Sequence, residues 1–242
     1  RERGTSEPIS DERAELAAEG PWRWPAILQV VRPALFIDPA IRDRYVLRPP
    51  RPGVTLAWDE IFDGSGPVEI EVGSGKGRFL GESAAASPTT RFLAVEIKAR
   101  LVAYIAGRLD RHRIDNARVL HGDALALLRD HVPPASVSAI HLYFPDPWWK
   151  KPHRKRRLYT PEFLAACDRA LTGGGRLHLA SDVAGVFEGL VAAAETTGFR
   201  AAPEPDLLAA PVEARPSNFE CKALSGGRTI RRAIFVRSHP AG

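Results

Sequence analysis

The chain has 242 residues, 44% hydrophobic and 26% charged, with a net charge of +5. That is the balance of a soluble globular protein, long enough for one substantial α/β domain or one domain plus an arm. No apolar run approaches the roughly 18 residues a membrane span needs, the first residues (RERGTSEPISDERAEL) lack an apolar signal core, and the two cysteines, Cys167 and Cys221, offer neither a disulfide framework nor zinc spacing, so a cytoplasmic protein with no membrane and no metal is expected.

Residues 1–60 are rich in Pro, Arg and Trp and weakly periodic. PWRWPAIL and LRPPRPGV read as extended or turn segments, because proline disfavours helix at the residue before it. This stretch is assigned to an N-terminal arm anchored by Trp22, Trp24 and Trp58, and residues 61–242 to one domain. From Pro67 the pattern changes. PVEIEV reads as a strand, SGKGRFLGESAAA opens a helix, and RFLAVEI is a second strand. ARLVAYIAGRLDRH follows as a helix with apolar residues at helical spacing. ARVLHGD is a third strand, ALALLRDH a short helix, and VSAIHLYF a fourth strand. TPEFLAACDRAL has a Thr N-cap and Pro at its first helical position, and its end is marked by TGGG. RLHLASD, the helix VAGVFEGLVAAAETTG, and the strands GFRAA and TIRRAIFVR complete the series. The alternation predicts an α/β fold with a mostly parallel sheet. Ligands of such sheets sit at the carboxyl ends of the strands, where the candidate residues fall.

The first of them form the loop Glu71-Val-Gly-Ser-Gly-Lys-Gly77. Gly73, Gly75 and Gly77 follow the first strand and let the backbone turn tightly and approach a ligand. Glu96 ends the second strand about 20 residues further on, where an acid takes both ribose hydroxyls. A phosphate loop needs Ser or Thr after Gly-Lys, and here Gly77 follows Lys76. A dinucleotide loop has two residues between its second and third glycines, and here there is one, which argues against a nicotinamide enzyme. The loop resembles the first motif of Rossmann-like methyltransferases, whose donor, S-adenosylmethionine, carries a sulfonium and an ammonium. Glu71 suits such a cation. Asp123, after the third strand, is placed either to meet the adenine amino group or to cap the next helix.

The stretch FPDPWWKKPHRKRRL follows the fourth strand. Pro145 and Pro147 fix the backbone around Asp146. Lys150, Lys151, Arg154, Lys155, Arg156 and Arg157 concentrate the chain's basicity, and the rest sits near −1 without them. Such a block is either a solvated loop or a footprint for polyanions, nucleic acid first. A stiff acid, aromatic surface and phosphate-binding cations together suit base methylation in a nucleic acid.

EVGSGKGRFL, AVEIKA, HGDA, FPDPWWKKPHRKRRL, SDVAGVFEGL and RPSNFE resemble, in order, the motifs of the bacterial tRNA (guanine-N7)-methyltransferases. The resemblance covers roughly residues 60–237. It implies a Rossmann-like methyltransferase fold with a seven-stranded sheet and helices on both faces, S-adenosylmethionine as donor, and a variable-loop guanosine of tRNA as target, in a monomer or homodimer. By position Glu71, Glu96, Asp123 and Asp146 match donor contacts, and Asp146 also matches the proposed catalytic residue. Lys150, Asp182 and the run Ser217, Asn218, Phe219 and Glu220 match substrate contacts. Ser217 stands where the family commonly has Thr, and Pro152 where it often has Arg.

Guanine N7 carries a lone pair and no proton, so its methylation does not strictly need a base. A carboxylate beside the ring instead stabilises the developing positive charge. Guanine also offers N1–H and N2–H donors, which an ionised carboxylate accepts and adenine cannot match. Asp182 and Glu220 are the candidates for that reading, alongside Asp146. The rival readings are a methyltransferase for another base and an RNA-binding module without catalysis.

Overall fold

A computed structural model describes residues 37–145, 160–202 and 223–237. Its elements in chain order are α1 (Pro39–Tyr45), β1 (Val46–Leu47), α2 (Trp58–Ile61), β2 (Val68–Val72), α3 (Arg78–Ala86), β3 (Arg91–Glu96), α4 (Ala99–Arg111), β4 (Ala117–His121), α5 (Ala124–Asp130), β5 (Val137–Tyr143), α6 (Pro161–Ala170), β6 (Leu171–Ser181), α7 (Ala184–Thr196), β7 (Phe199–Ala201) and β8 (Arg231–Arg237). The strands form one sheet in the order β1-β4-β3-β2-β5-β6-β8-β7. Every neighbouring pair is parallel except the two that include β8. The seven expected strands are present, and the two-residue β1 extends the edge beside β4.

The pleat sends alternate residues of β3 to opposite faces. Leu93 and Val95 join a cluster with β2, β5 and helices α5, α6 and α7. Phe92 and Ala94 join a second cluster with α3, α4 and Tyr45 of α1. Both faces of the central strands are therefore covered, which is why they read as near-continuous apolar runs. The predicted start of α6 is seen directly, with the Thr160 hydroxyl accepting from Phe163 N at 3.2 Å and Pro161 opening the helix. The TGGG stretch lies within β6, where the register with β5 shifts between Val137 and Ala139. Gly174 takes a φ of +75° in that irregular stretch, a conformation glycine adopts without steric cost.

Residues 37–60 belong to the stretch assigned to an arm, yet they are tied to the sheet. Tyr45, Leu56 and Trp58 are buried. Leu56 N donates to the His131 carbonyl at 2.8 Å, and the His131 ring contacts the Val54 carbonyl at 2.8 Å. Trp22 and Trp24 lie outside the described residues. If this segment is part of the core, Leu56→Ala costs about 2–5 kcal/mol of unfolding free energy, the range for a buried leucine. Urea denaturation measures it, and a loss under about 0.5 kcal/mol would mark the segment as a surface strap.

Candidate active site

The chain runs outward from β2 through β3 to β4, then returns to β5 on the other side of β2. This reversal opens a crevice at the carboxyl ends of the strands. The glycine loop fills its floor. Gly73, Gly75 and Gly77 have φ of 74°, 58° and 64°, the left-handed region that side chains rarely adopt. Gly77 also has no room for a side chain, since a Cβ there would meet Ile105 Cγ1 at 2.9 Å. Around Gly73 the space where a Cβ would point is open within 4 Å.

Glu96 is 5% exposed, and both carboxylate oxygens are engaged. Oε2 accepts from Gly75 N at 3.0 Å and Oε1 from Lys98 N at 2.9 Å. These bonds fix the carboxylate against the loop and leave each oxygen a further lone pair. Glu71, also 5% exposed, is different: its Oε2 is buried with no hydrogen-bond partner. Its carboxyl is pushed up to about 7, mainly by burial, which outweighs the hydrogen bonds from Ser74 and the Leu80 backbone, with the neighbouring Glu96 charge adding to the rise. A buried carboxylate oxygen without a donor fits a cationic ligand group. Ile97, next to Glu96, is 64% exposed, and the His121 ring contacts its carbonyl at 3.1 Å. Asp123 caps α5, accepting from Ala126 N at 3.0 Å, so the capping reading is realised. A carboxylate has a second oxygen, so the cap does not preclude a ligand contact.

On the α3 face of the sheet lies a buried polar row that the sequence reading passed over. His141 Nε2 contacts Glu69 Oε2 at 2.8 Å, and His141 Nδ1 contacts the Tyr143 hydroxyl at 2.8 Å. Nε2 donates to the Glu69 carboxylate, which can only accept when ionised. His178 stacks on His141 with ring centres 4.7 Å apart, and Phe79 packs against both His141 and Tyr143. Burial raises the Tyr143 hydroxyl well above its usual range, and the Glu71 and Glu69 charges act the same way. Burial also holds His178 well below the usual imidazole range. The signal was present in sequence as polar residues two apart, in VEIEV and in IHLY, where strand alternation puts them on one face. Just beyond Tyr143, Phe144 takes a φ of +50° while its N donates to the Ala180 carbonyl at 2.8 Å. A bulky residue in that region is uncommon and marks a site where surrounding contacts hold the chain bent.

Asp182 lies at the end of β6, as expected, with its side chain 12% exposed. It is paired with Arg228, a residue the sequence reading did not single out because the two are 46 positions apart. Asp146, Lys150, Lys151, Arg154, Lys155, Arg156, Arg157, Ser217, Asn218, Phe219 and Glu220 lie outside the described residues. Among the described residues no group of His, Cys, Asp and Glu is arranged to hold a metal ion, and no helix is long and apolar enough to cross a membrane.

The raised Glu71 carboxyl gives a pH signature. A folded-state value of about 7 against an ordinary 4.5 means the folded protein holds a proton that the unfolded chain has lost. Stability contributed by Glu71 is therefore present below about pH 4.5 and lost as pH rises towards 7. His178 acts oppositely, since its depressed folded value removes stability as pH falls below 6.5. The difference between wild type and Glu71→Gln isolates the first effect. Without ligand, Glu71→Gln is expected to gain in melting temperature relative to wild type as pH rises from 4.5 to 7. A pH-independent difference would mean that Glu71 is not desolvated as described.

Residues 65–233 match a family described as "Putative methyltransferase", a span from just before β2 into β8. The tRNA (guanine-N(7)-)-methyltransferase of Nitrosomonas europaea is 34% identical over 215 residues, covering 86% of this chain and 95% of that protein. The protein of the same name from Alkalilimnicola ehrlichii is 34% identical over 202 residues, covering 80% and 82%. Among solved structures, the 16S rRNA methyltransferase KamB aligns with a TM-score of 0.55 at 15% identity, over 74% of this chain and 91% of that one. The aminoglycoside resistance methyltransferase NpmB1 aligns at 0.53 and 18%, with the same coverage. At such identities the structural likeness speaks for the fold alone. The sequence relatives go further, and with a glycine loop, a buried acid with one unpartnered oxygen and a fixed second acid at the strand ends, this chain belongs to the tRNA (guanine-N(7)-)-methyltransferase family.

Proposed function

We propose that the protein transfers a methyl group from S-adenosylmethionine to N7 of a variable-loop guanosine in tRNA, giving 7-methylguanosine. The observation that carries this reading is the buried, unpartnered Glu71 oxygen beside the glycine loop, in a chain of this family. Bound in that crevice, S-adenosylmethionine supplies a methyl group on a positively charged sulfur. Glu71 holds the donor's ammonium, Glu96 its ribose and Asp123 its adenine edge, while Gly73, Gly75 and Gly77 let the loop approach it closely. A cation beside Glu71 also removes the cost of its desolvated charge.

Asp146 follows Pro145 at the exit of β5 and is assigned to the reacting base. N7 attacks with its lone pair, so Asp146 takes no proton and instead stabilises the positive charge that develops on the ring. Asp182, oriented by Arg228, and Glu220 are assigned to the N1–H and N2–H edge. Lys150 and the Ser217–Glu220 segment contact the target nucleoside, and Lys151 with Arg154, Lys155, Arg156 and Arg157 hold phosphates. The methyltransferase domain is drawn from residue 61, with the end of the preceding arm, from Ile37, packed onto it. A cytoplasmic location follows from such a substrate.

The test is methyl transfer from labelled S-adenosylmethionine to unmodified tRNA, with the product digested and identified by mass spectrometry. One 7-methylguanosine in the variable loop is expected, and a different methylated nucleoside or no transfer would overturn the proposal. Asp146→Ala should lower turnover about 10²–10³-fold, the scale for removing a group that stabilises transition-state charge, with an unchanged melting temperature. Near-wild-type turnover would take Asp146 out of the chemistry.

A further inference from the structure

The helix after β3 has an outer face that the reading above does not use. α4 turns Val102, Ile105, Ala106 and Leu109 into the core. Its other side carries Arg100, Tyr104, Arg108 and Arg111, three or four positions apart, and so aligned as one stripe. Lys76 of the glycine loop joins it, with Nζ 5.9 Å from the centre of the Tyr104 ring. Tyr104 is 46% exposed.

Two features set this stripe apart from an ordinary solvated face. First, none of its cations is paired with a carboxylate among the described residues, whereas Arg44 pairs with Asp115, Arg91 with Asp59, Arg129 with Glu162 and Arg228 with Asp182. Second, Lys98 and Arg100 sit at the start of α4, whose first turn holds no acid. Cations there oppose the positive end of the helix dipole, so helix stability does not explain them. An external polyanion would.

We infer that the outer face of α4 is a second tRNA-binding surface, which grips the RNA backbone beside the methylated guanosine; the inference rests on the tRNA reading above. Unpartnered cations around an exposed aromatic ring suit RNA phosphates with a neighbouring base or ribose against the ring. From Arg100 to Arg111 the stripe runs about 16 Å along the helix axis, long enough to follow several phosphates. Its position fits as well. β3 and β5 flank β2 on opposite sides, so α4 begins on one side of the glycine loop and β5 ends on the other. RNA delivering a base at the end of β5 extends across the loop towards α4. A lipid surface suits the stripe less, because α4 turns Val102, Ile105, Ala106 and Leu109 into the core, and a single exposed Ile97 before the helix is too little apolar surface to anchor it in a bilayer.

The test compares wild type with Arg100→Gln/Arg111→Gln in binding unmodified tRNA, by fluorescence anisotropy between 50 and 200 mM KCl, roughly the range over which such contacts are lost. Each phosphate contact contributes about 0.7–0.9 to the slope of log affinity against log salt. The double variant should therefore flatten the slope by about 1.4–1.8 while S-adenosylmethionine affinity stays unchanged. Independently, Tyr104→Ala should weaken tRNA binding at least about fivefold, the low end for loss of a stacked base, and Tyr104→Phe should restore it. An unchanged slope in the double variant, with wild type still methylating tRNA, would overturn this surface and leave the proposed function standing. If wild type neither binds nor methylates tRNA, the functional reading falls and the surface falls with it. Loss of binding to phosphatidylserine vesicles with an unchanged tRNA slope would make the stripe a lipid contact and overturn the inference.

Discussion

A carboxylate oxygen buried without a donor, Glu71 Oε2, is the constraint around which the crevice is organised. β2 lies in the middle of the sheet with neighbours on both sides, so its end is poorly reached by water. Glu96 is close enough to repel Glu71, and it cannot turn away because Gly75 N and Lys98 N hold both its oxygens. Two acids facing a dry gap are costly unless one takes a proton or a cation arrives. The folded protein thus stores an unfavourable interaction that a cationic ligand group relieves. This links the central place of β2 to ligand choice.

The second constraint lies at the end of β5, where the chain must bend sharply and hold its shape. Glu69, His141 and Tyr143 form a buried hydrogen-bonded chain across β2 and β5, with His178 and Phe79 packed on its rings. The side chains that support the bend are therefore locked before the strained Phe144 and the proline-bounded segment beyond it. A turn supported by satisfied polar contacts and aromatic packing loses less precision than one resting on loop residues. In this way Glu69 of β2 helps to support a bend that follows β5, more than 70 residues further along the chain.

Charge is distributed with similar economy. Many arginines of the sheet edges and helices are neutralised within the fold, Asp182 and Arg228 joining the end of β6 to the approach to β8. Along α4 and at the glycine loop, by contrast, Arg100, Arg108, Arg111 and Lys76 stand without an acid partner among the described residues. Lys76 and the start of α4 thus place positive charge beside the glycine loop. A polyanion is drawn to such a region before any specific contact forms.

Much of this was legible in the residues themselves. The glycine loop, the Thr160–Pro161 helix start, the strand–helix alternation and the acids at the strand ends are local patterns, because backbone conformation and strand pleat depend on near neighbours. What the sequence left open were matters of pairing and burial. It offered two readings of Asp123, and the fold realises the cap. It placed residues 37–60 in an arm, since prolines mask any periodicity there, and packing buried Tyr45, Leu56 and Trp58 against the sheet. It gave no hint that Asp182 meets Arg228, or that Glu69, His141 and Tyr143 form one chain. On its own, the sequence determined the order of elements and the chemical types at the crevice. Only the tertiary structure decided which carboxylate oxygen is buried without a donor and which cations pair with acids, because desolvation and ion pairing arise between segments brought together by the sheet register.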